Sequence, residues 1–246
     1  MDPEKRFSET ADPYDSHRPS YPESLVDWVL KTSGVALGAR VADVGCGTGI
    51  STRLFAARGL GAVGIDPNEE MLARARARGG ADYRRGSASA TGLPAHSVDL
   101  MVAAQAFHWF NLEPTLLEFK RVLKPGGWCA AFWNERTRDS AFLRAYEELL
   151  LRSSSEYRAM PHISDAMAAI RSSRAVVAWT QSEFPNVQSM DRAAFVGRVY
   201  SSSYVAHGIS RRKEFDRAIR ELFDRHAVGG RVEFKYRSLG ACWRLR

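Results

Sequence analysis

From residue 25 onward, short apolar runs alternate with stretches whose apolar residues recur every three or four positions. SLVDWVL sets Leu25, Val26, Val29 and Leu30 at helical spacing, and RVADV follows as a buried strand that ends at a cluster of glycines. STRLFAARG reads as a helix stopped by Gly59. The unit then repeats: GAVGID is a second strand with NEEMLARARAR as its helix, ADYRR a short third strand, and SVDLMVAAQA a fourth. EPTLLEFKRVL puts Leu116, Phe119 and Leu123 on one helical face and halts at KPGG, after which WCAAFW is a fifth strand. Strands that are apolar on both sides and alternate with helices predict a parallel sheet covered on both faces.

After Trp133 the rhythm changes. SAFLRAYEELL places Phe142, Tyr146, Leu149 and Leu150 on one side of a helix, and the polar RSSSEYRAMPHISD leads to another. Residues 134–177 therefore read as a helical insertion after the fifth strand, of the kind that carries specificity. TQSEFPNVQ returns the chain to the sheet, Phe215, Ile219, Leu222 and Phe223 mark a late helix, and RVEFKYRSLGACWRL alternates as a terminal strand. No internal repeat or low-complexity linker interrupts the 246 residues, which are expected to form a single domain.

Composition narrows the class. Usage is that of an ordinary globular protein, 45% hydrophobic and 26% charged. The three cysteines, Cys46, Cys129 and Cys242, are scattered without metal-site or disulfide spacing, so no metal is expected and a reducing cytoplasm fits best. The N-terminal MDPEKRFSETADPYD lacks an apolar leader, and no window approaches the ~18 apolar residues of a membrane span. The formal charge is +7, and eleven Lys/Arg against five Asp/Glu lie between Arg211 and Arg246. That balance suits an acidic substrate, but without interleaved exposed aromatics it argues only weakly for nucleic acid.

The chemistry gathers at ARVADVGCGTGIST, residues 39–52. A strand, a glycine-rich turn and a helix form a nucleotide-binding arrangement, because glycines admit a ligand close to the backbone. Asp66, at the end of the second strand and 21 residues after Gly45, stands where an acid would take ribose hydroxyls. The dinucleotide fingerprint GxGxxG would require glycine at position 50, which is Ile; the third glycine is Gly49. The spacing GxGxG suits a ligand with a ribose and no pyrophosphate.

VADVGCGTG, GIDPNEEML, GSASATGLPAHSVDLMVAAQAFHWF and LKPGG, in that order, resemble the successive motifs of class I S-adenosylmethionine-dependent methyltransferases. Within them the chain is similar to the small-molecule branch that includes trans-aconitate methyltransferases, through Tyr14, Arg18, Pro19, Tyr21 and Pro22 near the start, HWF after the fourth strand, and Ser201 to Tyr204. The resemblance implies a Rossmann-like, seven-stranded, mostly parallel α/β sheet whose last strand is antiparallel, with helices on both faces. It implies an N-terminal lid and helix over residues 1–33 and a substrate cap in the insertion. It also implies S-adenosylmethionine as cofactor and S-adenosylhomocysteine as product. Asp43, Gly45, Gly47 and Gly49 would line the methionine side, Asp66 would take the ribose, and Pro67 would lie against the adenine. Ser87 and Ala88 stand where relatives carry an acid and Ala beside the adenine, and Gln105 and Ala106 would face the sulfonium. Tyr14 and Arg18 would close over the site, Arg18 binding a carboxylate of cofactor or substrate.

Methyl transfer needs alignment above all. Where the acceptor is a hydroxyl or amine a proton must leave, and His108 is the candidate base, with Trp109 and Phe110 walling the pocket. A carboxylate acceptor needs no base. The expected activity is methylation of a small, acidic molecule, most simply at oxygen, by a monomer or homodimer; nitrogen and carbon acceptors stay open. Three rivals remain: a nucleic-acid methyltransferase, which would explain the charge but lacks an appended RNA-binding module; a dinucleotide oxidoreductase, which would share Asp66; and a non-catalytic binder of the same ligand.

Overall fold

In the computed structural model, which describes residues 17–246, each strand expected in the first half is present: β1 (Arg40–Val44), β2 (Gly61–Asp66), β3 (Asp82–Arg85), β4 (Val98–Ala104) and β5 (Leu123–Arg136). With β6 (Val176–Met190) and β7 (Val232–Leu245) they form one seven-stranded sheet in the order β3-β2-β1-β4-β5-β7-β6, parallel through β5 and antiparallel at the closing strands. The order reverses between β1 and β4, and at such a switch point the loops leaving neighbouring strands diverge and open a crevice. KPGG is looped out of β5: Val98 pairs with Leu123 and Leu100 with Trp128, so the intervening residues are skipped by the ladder. Pro185 is accommodated because β6 is the edge strand, where a missing N–H costs no ladder bond.

Burial shows why these runs are apolar on both sides. Ala42, Val44, Met101, Ala103, Cys129, Ala131 and Trp133 enter one buried cluster, while their neighbours Val41, Leu100, Val102, Ala130 and Phe132 enter another. A strand's side chains alternate between faces, so both faces are covered. One face packs on α1 (Glu23–Ser33), which buries Leu25, Val26 and Val29 and ends on Gly34 in the left-handed region. α2 (Ile50–Ala56), through Phe55, joins the same cluster. α3 (Glu69–Arg78) starts on Asn68, whose side chain accepts from the N–H groups of Glu70 and Met71. α4 (Leu112–Val122) buries Leu116, Phe119 and Val122 in the other cluster; Leu123, expected on its face, opens β5 instead.

The described chain divides into two compact units. One comprises residues 20–134, 161–184 and 238–246, and the other residues 17–19, 135–160 and 185–237. The segment 134–177, expected as one insertion, is shared out. α5 (Ala141–Ser153) and the short α6 (Ser155–Arg158) belong to the second unit, α7 (Ile163–Ser172) to the first. The second unit adds α8 (Arg192–Tyr200), α9 (Ser203–Ala206) and α10 (Arg212–His226) around an aromatic core of Phe142, Tyr146, Phe195, Phe223 and Phe234. No described helix is long and apolar enough to cross a membrane.

Candidate active site

All the site residues expected in the first unit lie just past the carboxyl ends of β1 to β4 or at the last strand positions themselves. The glycine loop leaves β1 pinned to β2, since the N–H groups of Gly45 and Cys46 both donate to Ile65 O, at 2.8 and 3.1 Å. Gly45, Gly47 and Gly49 have φ of 71°, 55° and 79°, a region closed to most side chains. Their surroundings separate their roles. A Cβ on Gly45 would come within 2.6 Å of Ala106 Cβ, and one on Gly49 within 2.4 Å of the Tyr83 hydroxyl, whereas a Cβ on Gly47 would meet nothing within 4 Å. Two of the glycines thus admit protein and the central one faces open space.

The acids fasten this loop. Asp66 Oδ2 accepts the Gly47 N–H at 2.9 Å and its Oδ1 accepts the Asn68 N–H at 2.9 Å, holding the loop against the end of β2. Asp43 is fully buried; its Oδ2 accepts the hydroxyls of Ser51 and Thr52, both at 2.6 Å, and its Oδ1 has no protein partner. Burial pushes its carboxyl up to about 6, against the pull of those two hydroxyls. Cys46, in the same loop, is buried and its thiol is pushed well up by desolvation, so it fills space rather than acting as a nucleophile.

Pro67 follows Asp66, half-buried. After β3 the chain is tied back by Gly86 N–H to Asp66 O at 3.2 Å, and Ser87 and Ala90 close a tight turn by exchanging backbone hydrogen bonds, with Ala88 packed on the core. At the end of β4, Gln105 takes φ of 53°, rare for a residue with a side chain, while its amide donates to Asn134 O at 3.1 Å. A left-handed non-glycine residue at a strand end is the kind of strain that gathers at functional sites. Ala106 is buried against Gly45.

A single turn, Phe107–Trp109, carries His108. Phe110 packs on Phe107 at 5.3 Å between centroids and lies 3.2 Å from where a Gly45 Cβ would be; Trp109 tilts against His108 at 5.1 Å. The indole N–H of the fully buried Trp133 donates to His108 Nδ1 at 3.1 Å. An indole nitrogen only donates, so Nδ1 must keep its lone pair and the neutral ring carries its proton on Nε2. Burial pushes the imidazole down to about 4, in the same sense. The side of the ring left over offers an N–H, not a lone pair.

The structure therefore brings together Asp43, Gly45, Gly47, Gly49, Asp66, Pro67, Ser87, Ala88, Gln105, Ala106, His108, Trp109 and Phe110 in one unit. Arg18 lies in the other unit, where its guanidinium donates to Ser201 O at 3.0 Å, and Tyr14 lies outside the described residues. Tyr83 and Trp133 escaped the sequence reading. Trp133 sits inside an apolar strand, where an aromatic is indistinguishable from core, and Tyr83 is the one buried residue of the polar strand β3, so neither stands out until its partner is seen.

The open space over Gly47 and the partnerless Asp43 Oδ1 fit a ligand bearing a ribose and a cationic amino-acid tail. Comparisons with known proteins agree. Residues 42–131 match the family described as methyltransferase domain. The chain is 32% identical over 223 residues to an uncharacterized methyltransferase of Mycobacterium tuberculosis, covering 89% of this chain and 86% of the relative. A solved structure from Anaeromyxobacter dehalogenans, bearing the name of a type II methyltransferase, superposes with a TM-score of 0.67 at 24% identity over 92% of this chain and 96% of that one. Phosphoethanolamine N-methyltransferase 2 of Haemonchus contortus, in complex with S-adenosyl-L-methionine, superposes with a TM-score of 0.57 at 14% identity over all of this chain and 59% of that one. At these identities the two structures speak for the fold alone.

Proposed function

Because the chain belongs to the class I S-adenosylmethionine-dependent methyltransferases, we propose that it methylates a small acidic molecule at a carboxylate oxygen. The observation that carries this reading is the proton position on His108. With Nδ1 taken by Trp133, the imidazole has no lone pair for an acceptor's proton, but an Nε2–H to donate to an acceptor's oxygen. A carboxylate is already ionised at neutral pH, so the residues around it need only orient and hold it. When bound, S-adenosylmethionine supplies a methyl on sulfonium, which passes to the acceptor oxygen as the C–O bond forms and the C–S bond breaks, leaving S-adenosylhomocysteine.

This chain's own residues would do the holding. Gly47 lets the ligand approach the backbone, Asp66 at the end of β2 takes the ribose hydroxyls, and Pro67, Ser87 and Ala88 flank the adenine. Asp43 Oδ1 and the Gln105–Ala106 turn receive the methionine portion. Trp109 and Phe110 exclude water from the acceptor. The positive charge of the chain and its resemblance to trans-aconitate methyltransferases favour the acid. Three free, buried cysteines favour a reducing, cytoplasmic setting. Nitrogen methylation is the second reading, favoured by the name of the Haemonchus neighbour.

Calorimetric titration of the purified chain with S-adenosylmethionine, S-adenosylhomocysteine and NADH tests the cofactor, followed by a radiolabelled methyl-acceptance screen of small carboxylic acids and amines. Binding of the first two alone, weakened at least tenfold by Asp66→Ala, is expected. NADH binding, or acceptance by amines and not acids, would overturn the reading.

A further inference from the structure

The strands of the first unit have two ends, and the site described above uses only one. At the other, where β1, β2, β3 and β4 begin, a cavity of about 630 Å³ opens, a volume within the range of small-molecule sites. Its floor is apolar and buried: Leu60, Ala62, Leu93 and Val98 are each 9% exposed or less. Its rim is charged and exposed, with Arg40 on β1 and Asp82 and Arg84 on β3. The five residues of β1 set Arg40 roughly 15 Å from the glycine loop, at the rise of an extended strand. An occupant of this cavity is therefore neither the cofactor nor the methyl acceptor.

Strand register builds the rim. Arg40 pairs with Gly61, Val63 with Asp82 and Ile65 with Arg84, so alternation puts both arginines, Asp82 and Gly61 on one face. Neither guanidinium has a hydrogen-bond or ion-pair partner among the described residues. Asp99, beside Arg40, is engaged: both its oxygens accept Lys124 Nζ at 2.9 Å, and Oδ2 accepts the Arg40 backbone N–H at 2.8 Å. Two arginines against Asp82 leave the rim with one positive charge in excess. Gly61 keeps the space beside Arg40 clear, since a Cβ there would meet only Ala39 O at 3.7 Å and Arg40 Cγ at 3.9 Å. One wall is fixed in advance. Arg121, paired with Glu118 at 2.7 Å, donates to Leu93 O at 2.7 Å; the Ser97 hydroxyl donates to Pro94 O at 2.7 Å, and the Ser97 N–H to Val122 O at 2.8 Å. A preformed wall spares a ligand the cost of ordering it.

We propose that this cavity is a second ligand site, which takes a small amphipathic carboxylate with its apolar body on Leu60, Leu93 and Val98 and its head group at Arg40 and Arg84. The apolar floor selects against a wholly polar ion, because only an apolar body gains from covering it. A guanidinium fork matches a carboxylate edge on, and the single excess charge of the rim answers a monoanion rather than a phosphate dianion. The site stands whatever molecule the chain methylates.

The test is calorimetry of the full chain with 2-naphthoate and, as the neutral control, 2-naphthamide at matched ionic strength, beside amide ¹⁵N–¹H spectra that locate the ligand. Wild type is expected to bind the acid with a Kd of about 1 mM or tighter and the amide about tenfold more weakly. The backbone signals of Gly61, Ala62, Ala81 and Val98 should shift, and those of Gly47 and Trp109 should not. Gly61→Leu, at a backbone position outside the left-handed region, fills the cavity and should abolish binding of both probes. Arg84→Gln, at an exposed position, should bring the acid's affinity down to that of the amide, and it serves if Gly61→Leu does not fold. Absence of acid binding, equal affinity of wild type for the two probes, shifts centred on Gly47 and Trp109, or undiminished acid binding in both variants would each overturn the site.

Discussion

One hydrogen bond and burial fix what His108 is able to do. With Trp133 donating to Nδ1, the imidazolium would set two N–H groups against each other, and burial already holds the ring neutral down to about pH 4. Glutamine offers an amide N–H and cannot act as a base at neutral pH, so it separates donation from proton abstraction. His108→Gln is expected to keep kcat within about tenfold of wild type, whereas His108→Phe should lose about a hundredfold, the scale of one well-placed hydrogen-bond donor. Steady-state kinetics on the accepted acid decides it: equal loss in both variants would restore the base. Trp133→Phe removes the donor to Nδ1 and should move the imidazole pKa upward, read by ¹⁵N chemical shifts across pH. His108 was legible in the sequence as a candidate, but its protonation was not, because that depends on a residue 25 positions away on the next strand.

At the level of elements, the loop between β1 and α2 combines three glycines with separate demands. Gly45→Ala and Gly49→Ala would add left-handed strain and a clash, with Ala106 and Tyr83 respectively, and each should cost about 2–3 kcal/mol in denaturant unfolding. Gly47→Ala meets only the strain, about 1 kcal/mol, but places a methyl in the space the ligand would use. Its S-adenosylhomocysteine affinity should therefore fall further than its stability; equal stability losses in all three would refute the division of roles. Gly45, Gly47 and Gly49 were legible as a backbone approach, and β1, β2, β4 and β5 were legible because strands buried on both faces leave unbroken apolar runs; β3, with only Tyr83 buried, was read from its place in the repeat. β6 was harder: it sits at the edge with alternating exposure, so only its return to the sheet could be read. The helix Arg192–Tyr200 and the arginine pairs of the second unit were not legible. Their logic is the pairing of residues such as Arg136 on β5 with Glu147 on α5, and pairing leaves no periodicity in the chain.

For the whole molecule, two buried groups at the site oppose each other in the pH dependence of stability. Asp43 is raised from 3.8 to about 6, so between those values the folded state holds a proton that the unfolded state has released, and stability falls as pH rises. His108 is lowered from 6.5 to about 4, so over nearly the same interval the unfolded state holds the extra proton and stability rises with pH. Their contributions cancel to a first approximation between pH 4 and 6, where each alone would change stability by up to about 1.4 kcal/mol per pH unit. Single variants unmask them. Relative to wild type, Asp43→Asn should gain stability steadily from pH 4 to 6, while His108→Gln should lose it over the same range, each read as the difference in unfolding free energy from urea titrations at matched pH. A pH-independent difference in either variant would mean that the group titrates as it does in the unfolded chain. Glu118, held down to about 2 chiefly by Arg121, contributes stability above 4.5 that is lost as pH falls through 2, and being common to all three proteins it drops out of the comparison. A cationic ligand at Asp43 should favour its ionised form, so S-adenosylmethionine affinity is expected to fall as pH drops through 6 in wild type and to lose that dependence in Asp43→Asn.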